Sequence, residues 1–187
     1  MSRADRAEAL FREGFSCSQA ILAVFGEGGG MPRDTLLRLA SGFGGGMARS
    51  GLTCGAVTGS VLALGLACGP ASASDGEAKE KVYAFVQEFS EQFRERHGSL
   101  ACRDLLGHDL STAEGRAAAK ASGRFETTRT ISAGYSALRA ASISAVMFDP
   151  RPDIRMAVRL RDMIGLQRQI ERAAIAHALV AIGGCDR

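Results

Sequence analysis

The chain has 187 residues, close to the roughly 150 of a single domain and enough to bury a core without disulfide staples. Hydrophobic residues make up 46% and charged residues 23%, an ordinary globular composition that excludes a disordered chain. The net charge of +3 is too small to point to nucleic acid, and the longest uncharged apolar stretch, residues 55–69, falls short of a membrane span. The start, Met1-Ser2-Arg3-Ala4-Asp5-Arg6, carries charge where a secretory signal would be apolar, so the expected compartment is a reducing cytoplasm. There, cysteines are more often catalytic or metal-bound than structural disulfides.

In chain order, apolar residues at spacings of three and four predict a helix from Ser2 to Arg12 that Gly14 ends. A second helix runs from Ser16 to Phe25, and a third from Thr35 to Ala40 with Asp34 as its cap. The glycine-rich loop Ser41–Gly51 leads into a helix from Cys54 to Ala67, where Gly51, Gly55 and Gly59 recur four apart. Such a bare face admits another backbone or a flat ligand. Glu77 to His97 forms a long helix whose Val82, Phe85, Val86, Phe89 and Phe93 make a core-facing stripe. A short helix over Cys102–Leu106 follows. Ser111 and Glu114 then read as a capping box for a helix ending near Gly123. Strands have almost no support, so the expected fold is all-α, a compact helical bundle with a glycine-rich loop and a C-terminal amphipathic helix.

Composition changes after residue 126. Residues 1–123 hold thirteen Lys and Arg against fourteen acids, whereas residues 124–187 hold ten Arg against six acids. This divides the chain into a domain over residues 1–126 and an Arg-rich tail over residues 127–187. Asp153 is placed to cap an amphipathic helix that reaches about Ile182. The tail helix docks on its own domain or on a partner.

Three of the five cysteines stand where helices begin. Cys17 follows Ser16 in a capping box closed by Gln19, Cys54 follows a candidate cap at Thr53, and Cys102 falls in the first turn of a helix that Ser99 can cap once Gly98 has ended the one before. A helix N-terminus carries partial positive charge and free N–H groups, so it favours thiolate over thiol. Thiolates are the nucleophiles and metal ligands of cysteine chemistry. Cys68, at a helix C-terminus, reads as a small buried hydrophobe, and Cys185 as an incidental terminal thiol.

In order, the motifs are Gly14-Phe15-Ser16-Cys17-Ser18-Gln19, then Gly42-Phe43-Gly44-Gly45-Gly46 before Cys54-Gly55-Ala56-Val57-Thr58-Gly59, then Cys102-Arg103-Asp104-Leu105-Leu106-Gly107. Together they resemble the C_GCAxxG_C_C family, small bacterial and archaeal proteins described as redox-active, over roughly residues 5–126. The resemblance implies redox work by clustered cysteines and a fourth cysteine just beyond Phe125. Thr128-Arg129-Thr130 stands there instead, and no cysteine occurs between Cys102 and Cys185. The tail is either an unrelated acquisition or a shifted reading frame.

Two active readings and one passive reading follow. In the first, Cys54, Cys17 and Cys102 converge for thiol–disulfide exchange or electron transfer with a redox partner protein, and Cys54 is the most reactive. In the second, the same three thiolates bind a metal or iron–sulfur cluster, with His97 or His108 as fourth ligand. Gly44, Gly45, Gly55, Ala56 and Gly59 would then line a cofactor. In the third, the protein is a helical interaction subunit with relic cysteines. Neither the cofactor nor self-association is legible from the residues.

Overall fold

A computed structural model describes residues 2–123. It contains seven α-helices: α1 (Arg3–Arg12), α2 (Cys17–Phe25), α3 (Arg33–Ala40), α4 (Gly55–Cys68), α5 (Gly76–His97), α6 (Cys102–Leu106) and α7 (Ala113–Ala121). Among the described residues there is no strand, only an isolated antiparallel bridge between Thr53 and Ala101. The all-α expectation therefore holds. No helix among them is long and apolar enough to cross a membrane. The tail helix, the reading-frame question, the domain boundary at 126 and Cys185 lie outside the described residues.

Helices α2 and α4 form the centre. Neither contains a charged residue, and from Ala20 to Phe25 every residue of α2 is buried. Helices α1 and α3 pack on α2, and α5 packs on α4. Two side-chain bonds fasten α2 to the end of α3: Ser18 Oγ donates to the Ala40 carbonyl at 2.9 Å, and Gln19 Nε2 donates to the Leu37 carbonyl at 3.0 Å. Along α5 only Phe89 and Phe93 of the predicted stripe are fully enclosed; Val82, Phe85 and Val86 are half-buried. Each enclosed ring contributes about 1.5–3 kcal/mol.

Local chemistry explains the boundaries. The Ser16 hydroxyl accepts from the Gln19 amide at 3.4 Å while Gln19 Oε1 accepts from the Ser16 amide at 3.0 Å, closing the expected box. Gly98 ends α5 with φ of +84°, a conformation that favours glycine. Four caps differ from expectation. Ala101, not Ser99, takes the cap position of α6, and the Ser99 hydroxyl accepts from the Ala101 amide at 3.0 Å. Helix α3 begins at Arg33 after Pro32, placing Asp34 within its first turn. Thr112, not Ser111, caps α7 by accepting from the Gly115 amide at 2.9 Å, because Ser111 is engaged by Asp109 Oδ1. At α4 the cap position is taken by Cys54 itself rather than Thr53.

Candidate functional site

The Thr53–Ala101 bridge builds the site. Across it, the Cys54 amide donates to the Leu100 carbonyl at 2.8 Å and the Cys102 amide donates to the Leu52 carbonyl at 2.7 Å. Cys54 and Cys102 thereby become diagonal neighbours on one face of the paired segment, within side-chain reach. Cys17 arrives from the first turn of α2. A methyl group at Gly55 would lie 3.3 Å from Cys17 Cβ and 3.0 Å from the Ser18 nitrogen, so the start of α2 lies directly against the start of α4. The structure thus brings Cys17, Cys54 and Cys102 together, with the Cys54 charge acting on both other sulfurs and Cys17 acting on Cys102. The described cysteines are free of disulfides.

The three thiols are not alike. The Cys102 thiol donates to the Cys54 sulfur, which lowers the Cys54 pKa. The amides of Ala56 and Val57, in the first turn of α4, lower it further, outweighing burial. Neither amide reaches full capping geometry, but a sulfur at the cap position still faces the donors that a capping oxygen would meet. Cys17 is pushed up from 9.0 to about 12, first by desolvation and then by the Cys54 charge. Cys102 is raised strongly, mainly because its proton is held on Cys54. Of the three, the environment thus favours the thiolate at Cys54 and disfavours it at Cys17 and Cys102, because a second charge in this dry cluster is repelled by the first. Accessibility differs as well. Cys54 and Cys102 are only 2% and 4% exposed, whereas Cys17 is half-buried.

The glycine-rich loop packs behind the cluster. Residues 45–49 run consecutively through left-handed backbone, with φ of 64°, 72°, 58°, 49° and 70°, and three of them, Met47, Ala48 and Arg49, are not glycine. Those three cost about 3–6 kcal/mol. The amides of Ala48, Arg49, Gly51 and Leu52 donate back to the carbonyls of Gly42, Gly44, Gly45 and Gly46, offsetting part of that strain at about 0.5–1.5 kcal/mol each. The coil lays Gly46 on the site: a methyl group there would sit 2.7 Å from Cys102 Cβ and 2.5 Å from the Leu52 carbonyl oxygen.

The residues expected to line a cofactor lie close to other parts of the chain. A side chain at Gly44 would meet Ser16, at Gly45 it would meet Arg49, at Gly55 Cys17 and Ser18, and at Gly59 the Ser18 backbone at 2.8 Å, while Ala56 is wholly enclosed. The close approach at Gly55 and Gly59 is thus that of a neighbouring backbone. His97 packs on Phe93, with ring centroids 4.7 Å apart, and burial together with Arg96 lowers its pKa. His108 lies half-buried just beyond α6. Neither histidine is among the groups that shift the three thiols. Among the described residues, no group of three or more His, Cys, Asp or Glu side chains is arranged to hold a metal ion. Cys68 is buried, and its thiol donates to the Leu64 carbonyl at 3.1 Å.

With this geometry, the family described as "Putative redox-active protein (C_GCAxxG_C_C)" matches residues 15–131. The chain belongs to this family. No curated protein and no solved structure matches it. The family match covers α2 to α7, so it takes in all three clustered cysteines and the loop behind them. Residues sequence reasoning missed include Leu52 and Leu100, whose carbonyls align the two cysteine segments, and Met47 to Arg49, whose backbone conformation leaves no mark in residue type.

Proposed function

We propose that this family member carries out thiol–disulfide exchange, with Cys54 as the nucleophile and Cys17 and Cys102 as the thiols that resolve its disulfides. One observation carries the reading: a single thiolate-favouring sulfur is flanked by two sulfurs that keep their protons. Exchange needs that asymmetry, because a thiolate attacks and a neighbouring thiol supplies the proton and the second sulfur. The helix start and the Cys102 donor supply the charge stabilisation, and the buried setting limits competing oxidation by solvent species.

The metal-binding alternative gains less support, since the two histidines stand apart from the thiol interactions and the glycine surfaces are filled by protein. The test is anaerobic purification of the full chain, with visible spectrum and metal content, then thiol titration before and after exposure to oxidised glutathione. The expected result is a metal-free protein that forms an intramolecular disulfide through Cys54. Stoichiometric iron with visible charge-transfer absorbance would replace this reading with a cluster-binding one.

A further inference from the structure

We propose that the substrate is a disulfide-bonded cysteine within an extended polypeptide segment, which reaches Cys54 by taking the place that residues 100–102 hold in this structure. The inference rests on the exchange reading above and names its substrate class. Cys54 is 2% exposed, and the Cys102 thiol is the donor in contact with its sulfur. A sulfur that Cys54 attacks has to make the same contact, and Cys102 shows where the fold admits one. The pairing around it is that of two extended chains. The Cys54 amide donates to the Leu100 carbonyl, two residues before Cys102, and the Cys102 amide donates to the Leu52 carbonyl. A cysteine in any extended chain carries the same two groups at the same spacing, so backbone pairing alone would set its sulfur against Cys54. Leu52, 58% exposed, adds an apolar side chain beside that pairing.

The segment that yields is bonded as a unit. It lies between Gly98 and Gly107, both in left-handed backbone with φ of +84° and +70°. A methyl group at Gly98 would meet nothing within 4 Å, so conformation rather than packing selects glycine there, as at a hinge. Between the two glycines, the Ala101 amide donates to the Ser99 hydroxyl at 3.0 Å, and that hydroxyl donates to Asp104 Oδ2 at 2.7 Å. The Leu105 amide donates to the Ala101 carbonyl at 3.1 Å, and all three bonds move with the segment. With it displaced, the Ala56 and Val57 amides still favour the Cys54 thiolate. That thiolate attacks the substrate disulfide RS–SR′, forming Cys54–S–S–R and expelling R′S⁻. Residues 100–102 then return, the Cys102 thiol attacks the Cys54 sulfur, and its proton leaves with the departing RS⁻. Two electrons pass from the protein to the substrate disulfide, which is the oxidant, and the protein ends with Cys54 joined to Cys102.

The probe is a synthetic peptide of residues 98–104 whose cysteine is disulfide-bonded to mercaptoethanol, offered to the full chain, with mass mapping to separate adducts at Cys68 or Cys185. It is expected to form the Cys54–Cys102 disulfide about tenfold or more faster than hydroxyethyl disulfide, which has the same leaving group, the advantage coming from two backbone bonds. Methylating the amide nitrogen of the peptide's cysteine should remove most of that advantage. The full chain carrying Cys17→Ser and Cys102→Ser stops at the adduct of the peptide on Cys54. There, amide hydrogen exchange should quicken at positions 102 and 103, while the Cys54 amide stays protected by the peptide's carbonyl. Equal rates for the peptide, its methylated form and hydroxyethyl disulfide, or an adduct in which positions 102 and 103 keep their protection, would overturn the substrate assignment while leaving exchange intact. Failure of all these disulfides to oxidise Cys54 in the wild-type chain would remove the exchange reading itself.

Discussion

Cys102 donates its thiol proton to the sulfur of Cys54 across a contact that two backbone hydrogen bonds hold in register. This is the largest influence lowering the Cys54 pKa, ahead of the helix-start amides. Cys102→Ala should therefore raise the Cys54 pKa, reducing the thiolate present at neutral pH. Cys102→Ser, which keeps a donor, should preserve most of it. Ultraviolet thiolate absorbance followed against pH in the two variants checks this; equal titration in both would show that the helix start alone suffices.

Cys17 makes stability depend on alkaline pH. Its pKa rises from 9.0 to about 12 on folding, so the folded state favours the proton. The resulting stability is fully present below pH 9.0 and is lost as pH rises towards 12. Cys54, with a lowered pKa, contributes in the opposite sense: its share is present above 9.0 and is lost as pH falls through its folded value. Cys17→Ser should flatten the decline in stability between pH 9.0 and about 12, as measured by urea unfolding at a series of pH values.

The glycines divide by what a side chain would meet. Gly46→Ala would press a methyl group on Cys102 Cβ and the Leu52 backbone at positive φ, a cost on the order of 2 kcal/mol or more. At Gly59, alanine would clash with the Ser18 backbone with similar loss. Gly65 faces open space on the same helix, so Gly65→Ala should instead stabilise by about 0.5–1 kcal/mol. Thermal unfolding of the three variants would show two falls and one rise.

Strain in the left-handed coil is open to direct measurement. Ala48 is exposed and sits at φ of 49°, so Ala48→Gly loses no packing and relieves about 1–2 kcal/mol. Greater freedom of glycine in the unfolded chain returns about 0.4–1 kcal/mol of that. A net gain of up to about 1 kcal/mol is expected in chemical denaturation, and a net loss would mean the coil is unstrained at this residue.

Ser18 is fully enclosed beside Cys17, and its hydroxyl satisfies the Ala40 carbonyl. Ser18→Ala should cost about 1–3 kcal/mol by leaving that carbonyl unpaired. Because the bond anchors α2 to α3, the variant should also raise the reactivity of Cys17 towards iodoacetamide, and an unchanged alkylation rate would uncouple the anchor from the thiol.

The helices were legible because their signals are local: the Ser16–Gln19 box, Gly98 at a left-handed helix end, and apolar spacing along α1 and α5. Capping was less so, since Thr53, Asp34 and Ser111 each offered a suitable hydroxyl or carboxylate one or two residues from where backbone geometry put the cap. The three helix starts that carry Cys17, Cys54 and Cys102 were likewise legible. The physical basis for favouring a thiolate at Cys54 was not. That depends on Leu52 and Leu100 bringing a donor from a distant segment, on the desolvation each thiol undergoes, and on the repulsion that one thiolate exerts on its neighbours. Residue types and spacings determined three helix-start thiols; only their burial against one another decided that the thiolate is favoured at Cys54 and disfavoured at Cys17 and Cys102.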